Sequence, residues 1–174
     1  MAGVGARDGV NLDGFNALPA GAAQGDLLAC CASPDWAARV CAGRPYPDLA
    51  ALAGAARAAL AGLDWPAVLA ALAAHPRIGA TPAGAGREVA WSRQEQSGVD
   101  SADAVTRAAL VAANRDYEQR FGHLFLVCAS GCTEVELLAA ALARLGNDAS
   151  DERLVVRAEL EKILLLRLER LLRQ

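Results

Sequence analysis

Aromatic side chains are few in this sequence, 5% of 174 residues, and β-branched residues are scarce beside Ala and Leu. That balance disfavours sheet and favours helix. Basic surplus is also missing. The net charge is −3, so electrostatics give no reason to expect nucleic acid or an acidic membrane as partner. No run reaches the ~18 apolar residues of a spanning helix. The opening MAGVGARDGVN lacks the apolar stretch of a secretory signal, and the closing LLRQ is no peroxisomal address. The five cysteines are odd in number, and Cys30 and Cys31 are adjacent. They are expected to be free thiols in a reducing cytoplasm. Cys128-x3-Cys132 is not a zinc spacing, so no metal is expected. There is no P-loop, and GAGREVA (84–90) follows no strand, which argues against a dinucleotide site.

What is present is helix punctuation. Residues 1–11 read as a flexible Gly-rich tail and 12–174 as one domain, long enough to bury a core without staples. Asp13 is expected to cap a short helix through Phe15 and Leu18, broken by Pro19 to Gly21, with an apolar turn at Leu27–Cys31. Ser33-Pro34-Asp35 is a strong helix start that turns Trp36, Val40 and Cys41 inward. GRPYPD (43–48) is a rigid loop. Asp48 starts a helix with Leu49, Leu52, Ala56 and Leu60 on one stripe, and Asp64 starts the next. Residues 80–86 read as a loop. Glu88–Ser97 reads as a helix stopped by Gly98. Ser101 or Asp103 opens a long helix that Gly122 ends. HLFLVCASG (123–131) is too short and punctuated for a free helix and is expected to be a buried extended segment. Thr133-x-x-Glu136 is a capping box for Leu137–Leu145, and Asp148 or Ser150 begins the last helix. The expected fold is an all-α single-domain bundle of about seven to eight helices with one short buried extended segment.

Two stretches carry chemistry. In HPRIG (75–79), His75 ends a helix, where the dipole favours the protonated imidazole. Pro76 forces His75 into an extended conformation and fixes the angle at which the ring leaves. That suits a proton donor or a carboxylate binder; a helix-capping histidine fits the same stretch. In WSRQEQSG (91–98), Ser92, Glu95 and Gln96 stand at i, i+3 and i+4 and share a face. Together they donate and accept hydrogen bonds, as a flat ureido or carbonyl heterocycle requires; a solvated face fits equally. A Glu beside His75 would hold its tautomer and raise its pKa. The backbone of FGHLFLVCASG offers further polar groups, whereas His123 reads as a surface or cap residue. A Cys128–His75 nucleophile pair is open by sequence, but nothing visible lowers the thiol pKa. Arg153, Arg157, Arg167 and Arg170 could each grip a carboxylate, or form a solvated face with Glu152, Glu159 and Glu169.

In order along the chain, FNALP, CCASPDWAARV, RPYPDLAAL, AAHPRIG, SRQEQSGV, NRDYEQRFGHLFLVCASG, RLGNDASDE and ELEKILLLRL resemble the 2-oxo-4-hydroxy-4-carboxy-5-ureidoimidazoline (OHCU) decarboxylase family over roughly residues 12–173. The resemblance implies an all-helical, cofactor-independent enzyme without metal that decarboxylates OHCU to (S)-allantoin in urate breakdown, often as a homodimer. It implies His75 as catalytic proton donor working with Glu95. It implies substrate binding by Pro76, by Ser92, Arg93, Gln94 and Gln96, by the backbone of Val127, Cys128, Ala129, Ser130 and Gly131, and by Arg167, with Arg170 one turn away. Leu124 stands where many members carry Pro. The rival readings are a helical enzyme acting on another ureido compound, and a non-catalytic interaction module. The module requires an exposed apolar stripe on the last helix at Leu154, Leu160, Leu164 and Leu168.

Overall fold

The structure is a computed structural model that describes residues 11–79, 87–96 and 104–173. Among these residues there are nine helices and no strand: α1 Leu12–Ala17, α2 Ala20–Cys30, α3 Pro34–Ala42, α4 Leu49–Ala61, α5 Trp65–Ala73, α6 Arg87–Glu95, α7 Ala104–Phe121, α8 Glu134–Arg144 and α9 Ala149–Leu172. The all-α expectation holds, with more helices than expected. Residues 1–10, the 80–86 loop, the Gly98 stop and the Ser101 or Asp103 cap lie outside the described residues.

Side-chain caps fall where the sequence puts them. Ser33, Asp48 and Asp64 each accept from the backbone N–H three residues on, satisfying donors that a helix start leaves orphaned. Thr133 and Glu136 form the reciprocal capping box. Gly122, at φ +74°, ends α7 in the left-handed region that other residues avoid. Three details differ. Asn11, rather than Asp13, caps α1, its Oδ1 accepting from Gly14 N at 2.9 Å; Asp13 sits inside the first turn. α1 does end before Pro19, but Pro19 is also the N-cap of α2, so the Leu27–Cys31 turn grows into a helix of eleven residues, Ala20–Cys30; proline has no N–H to leave unsatisfied at a helix start. Leu49, first in its helix, stays exposed while Leu52, Ala56 and Leu60 are buried.

The side chains form two cores. The larger gathers α1 to α6 and α9 around residues such as Leu27, Trp36, Leu52, Leu72, Leu160 and Leu164. The smaller joins α7 to α8 through Leu110, Tyr117, Leu137 and Ala141, with Ile78, Phe125 and Ala129 added from outside the helices. At roughly 1.5–3 kcal/mol per fully buried large apolar side chain, the first core supplies most of the drive to fold.

The expected extended segment runs between them. Leu124, Leu126 and Cys128 pack on the larger core, and Phe125, Val127 and Ala129 on the smaller. This period of two is that of a strand, although no second strand pairs with it among the described residues. Its backbone instead finds side chains, because buried N–H and C=O groups must be paired. Leu126 O accepts from Arg144 Nη1 at 2.7 Å and Cys128 N donates to Glu159 Oε2 at 2.9 Å. Arg144 is held in turn by Glu152, which also accepts from the Tyr117 hydroxyl and from Asn147 Nδ2. Glu152 is therefore no member of a solvated face: its exposure is 0%. Burial by itself would raise its carboxyl, but hydrogen bonds from Arg144, Tyr117 and Asn147 outweigh that and hold it below its ordinary range.

Candidate active site

His75 lies just past α5. Its N–H donates to Leu72 O at 2.9 Å, and its ring Nδ1 sits 3.1 Å from Ala71 O. A carbonyl only accepts, so Nδ1 carries the hydrogen and Nε2 presents a bare lone pair. Nε2 is sealed from solvent and has no hydrogen-bond partner. Burial and the Arg167 guanidinium push the imidazole down to about 4, against smaller upward effects of its bonds to Ala71 and Leu72. The dipole argument for a protonated ring is thus overturned: desolvation and a nearby cation exceed what a helix end supplies. His75 is neutral at pH 7.

The loop behind it is pinned from two helices. Gly79, at φ +78°, donates its N–H to Gln96 Oε1 at 3.1 Å. Asn114 Nδ2 holds Ile78 O at 2.9 Å, and Arg77 grips Glu118 with bonds of 2.6 and 2.9 Å. Pro76, just before these anchors, is half-buried.

On α6, Ser92 and Glu95 are buried and Gln96 half-buried, while Arg93 and Gln94 are exposed. The shared face therefore points into the protein. Arg167, 4% exposed, donates from Nε and Nη2 to the two Glu95 oxygens at 3.0 and 2.9 Å, and from Nη2 to Ser92 Oγ at 3.0 Å. Arg170 Nη1 adds a third bond to Glu95 at 3.0 Å. Of the four arginines that the sequence offered on the last helix, Arg167 and Arg170 thus meet the same carboxylate, whereas Arg157 donates to Leu60 O and Leu63 O and Arg153 lies over the Trp65 ring. Glu95 gives its oxygens to them and makes no hydrogen bond to His75, so the charge acting on the imidazole is that of Arg167. Two guanidinium groups on one carboxylate leave one positive charge in surplus.

The sequence also named the 127–131 backbone. Val127 and Cys128 are half-buried, Ala129 is buried, and Ser130 and Gly131 are exposed at the turn. The Cys128 N–H belongs to Glu159, and burial raises its thiol, which speaks against a Cys128–His75 nucleophile pair. Cys30 and Cys31, near Arg167, are core residues pushed up to about 12 by burial. His123 is no surface cap. It packs with Trp65, Tyr117 and Phe121, ring centroids 5.4, 5.5 and 6.1 Å away. Among the described residues no three His, Cys, Asp or Glu side chains converge as a metal site.

Sequence reasoning missed Asn114, Arg144 and the inward role of Glu159. A signal existed for the last: Glu159, Ile163 and Arg167 recur every four residues and so share a face of α9. The stripe required of an interaction module is absent. Leu160, Leu164 and Leu168 are buried and only Leu154 is exposed.

An isolated lone pair beside surplus positive charge, inside an all-helical shell, suits acid–base chemistry on a small anion. The comparisons give this class its family. The sequence model for OHCU decarboxylase matches residues 16–169. The 2-oxo-4-hydroxy-4-carboxy-5-ureidoimidazoline decarboxylase of Amia calva is 31% identical over 138 residues, 78% of this chain and 79% of that protein. The uric acid degradation bifunctional protein TTL of Arabidopsis thaliana is 36% identical over 112 residues, 62% of this chain but 33% of that protein. A crystal structure of OHCU decarboxylase in the presence of (S)-allantoin superposes with a TM-score of 0.74 at 26% identity, covering 86% of this chain and 98% of that one. A crystal structure of (S)-allantoin synthase shares the fold, with a TM-score of 0.73 at 18% identity over 94% of this chain and 54% of that one. The chain belongs to the OHCU decarboxylase family, and it is a decarboxylase.

Proposed function

We propose that this decarboxylase converts OHCU to (S)-allantoin with His75 at the reacting centre. The observation that carries the reading is the His75 Nε2 lone pair, buried and unpartnered beside the surplus charge of Arg167 and Arg170. OHCU carries a carboxylate and a hydroxyl on C4, next to an imine at C5. Breaking the C4–COO bond releases CO2, and its electron pair forms C4=C5 as the imine π pair moves onto nitrogen, which takes a proton. The resulting enol becomes allantoin when its hydroxyl loses a proton and C5 gains one.

The residues fit these demands. The surplus guanidinium charge attracts the carboxylate, and Arg167 Nη1 has no partner among the described residues, so a donor is left for it. Neutral His75 accepts from the C4 hydroxyl at Nε2, which a protonated ring could not do. Once it holds that proton, the imidazolium stands next to C5 and returns a proton to one face, which fixes the product's hand. Glu95 and Ser92 hold Arg167 in place, and Gln96 holds the loop behind His75 while keeping its amide N–H groups for the ring. The Val127–Gly131 backbone completes the frame for the heterocycle.

The test generates OHCU from urate with the two preceding enzymes of urate breakdown and follows circular dichroism. Fast growth of an (S)-allantoin signal with wild type, lost in His75→Asn, supports the reading. Racemic product at the spontaneous rate, from folded protein, rejects it. A faster turnover of another ureido acid would instead favour the rival enzyme.

A further inference from the structure

The segment between the two cores has two edges, and only one is open. In extended chain, the N–H and C=O of one residue point to the same side and those of the next to the other. The side-chain alternation at 124–129 shows that the segment keeps this geometry. Leu126 O and Cys128 N lie on one edge, closed by Arg144 Nη1 at 2.7 Å and Glu159 Oε2 at 2.9 Å. On the other edge, Ala129 O accepts from Cys132 N at 3.0 Å. Val127 N–H, Val127 C=O and Ala129 N–H have no hydrogen-bond partner among the described residues. Two donors and an acceptor in a row match a ureido or cyclic amide group.

Glu159 also links the segment to α9. Its carboxylate holds Cys128, and eight residues on along the same face of α9, Arg167 holds Ser92 and Glu95. One helix therefore ties both the backbone at Cys128 and the inward side chains of α6. The other Glu159 oxygen takes the Lys162 ammonium at 2.6 Å, which leaves Oε2 for Cys128.

We propose that Glu159 is a positioning residue for the decarboxylation: by holding the Cys128 N–H it turns the Val127 and Ala129 edge toward the substrate. It does so through the backbone and touches no reacting atom. The inference rests on the site reading above. Its reach is what matters, so two near-isosteric variants separate its role from that of a mere charge. Glu159→Gln retains an oxygen at the same reach. Glu159→Asp retains the charge but withdraws it by one methylene.

KM, kcat and the enantiomeric excess of allantoin are measured in the coupled assay, with thermal unfolding followed alongside. Glu159→Asp is expected to raise KM about tenfold, the loss of one charge-assisted hydrogen bond, and to lower the enantiomeric excess while the unfolding midpoint stays near wild type. Glu159→Gln is expected to stay within about threefold of wild type, since a neutral acceptor replaces a charged one. Lys162→Ala, which leaves the Cys128 bond intact, is expected to match wild type. The reverse order, with Asp active and Gln impaired, overturns the inference, as does a wild-type KM and enantiomeric excess in Glu159→Asp. His75→Asn run in parallel separates the two levels. If it is inactive while Glu159→Asp is unaffected, only the inference fails; if it is fully active, the site reading fails.

Discussion

Two buried arginine–glutamate clusters stand among the described residues, and they are built to opposite ends. In one, Arg144 and Glu152 meet Tyr117, Asn147 and the Leu126 carbonyl. One cation faces one anion, and both Glu152 oxygens are engaged. In the other, Arg167 and Arg170 share Glu95, with Ser92 beside them and the His75 Nε2 unpartnered nearby. Charges there do not balance, and a buried acceptor goes without a donor. Natural interiors rarely leave such a group orphaned. The closed cluster is what a fold needs to tie its last helices and its non-helical segment together; the open one is what a ligand completes. Burial alone would not separate them, since Glu95, Arg167, Arg144 and Glu152 are all buried.

The comparison can be broken by mutation. At the open cluster, His75→Asn is expected to reduce kcat by about 10²–10⁴, the usual contribution of a positioned acid–base group, with little change in the urea unfolding midpoint. At the closed cluster, Glu152→Ala is expected to cost about 3–5 kcal/mol of stability by urea denaturation, because Arg144 is left charged and buried. An active His75→Asn, or a fully stable Glu152→Ala, would show that the two clusters had been assigned the wrong way round.

Smaller effects sharpen the distinction. Arg170→Ala leaves Glu95 on Arg167 but removes the surplus charge. KM for OHCU is expected to rise about fivefold, the scale of one partly exposed charge at short range, with stability near wild type. The pH response follows from the depressed His75 pKa. Between about 6.5, the ordinary histidine value, and about 4 in the fold, the unfolded chain binds a proton that the native protein does not. Stability is therefore expected to fall as pH drops through that window, and His75→Asn to lose that part of the slope. Activity persists lower and fails as pH passes through about 4, where the lone pair is protonated. Leu154→Ser, on the exposed side of α9, is expected to change stability by less than about 0.5 kcal/mol.

Much of this was legible in the sequence because it is local. The Ser33, Asp48, Asp64 and Thr133 caps depend on residues three positions apart, and the shared face of Ser92, Glu95 and Gln96 depends on helical phase, although spacing left open whether that face was solvated or buried. HLFLVCASG could be read as extended because it is too short to be a free helix. The protonation state of His75 could not be read so. It is set by burial and by Arg167, ninety-two positions away, against a local dipole of opposite sign. The same holds for Glu95, whose partners come from α9 rather than from His75, and for Glu152, whose sequence neighbours suggest a solvated face. Charge pairing across the chain is a property of packing, and spacing along one helix does not encode it.

The account's central claim is that His75 waits as a neutral acceptor. Heteronuclear NMR of the imidazole nitrogens across a pH titration reads this directly. The account predicts a protonated Nδ1, a bare Nε2 at neutral pH, and a pKa of about 4. A pKa at or above the ordinary 6.5, or a hydrogen on Nε2 at neutral pH, would contradict it.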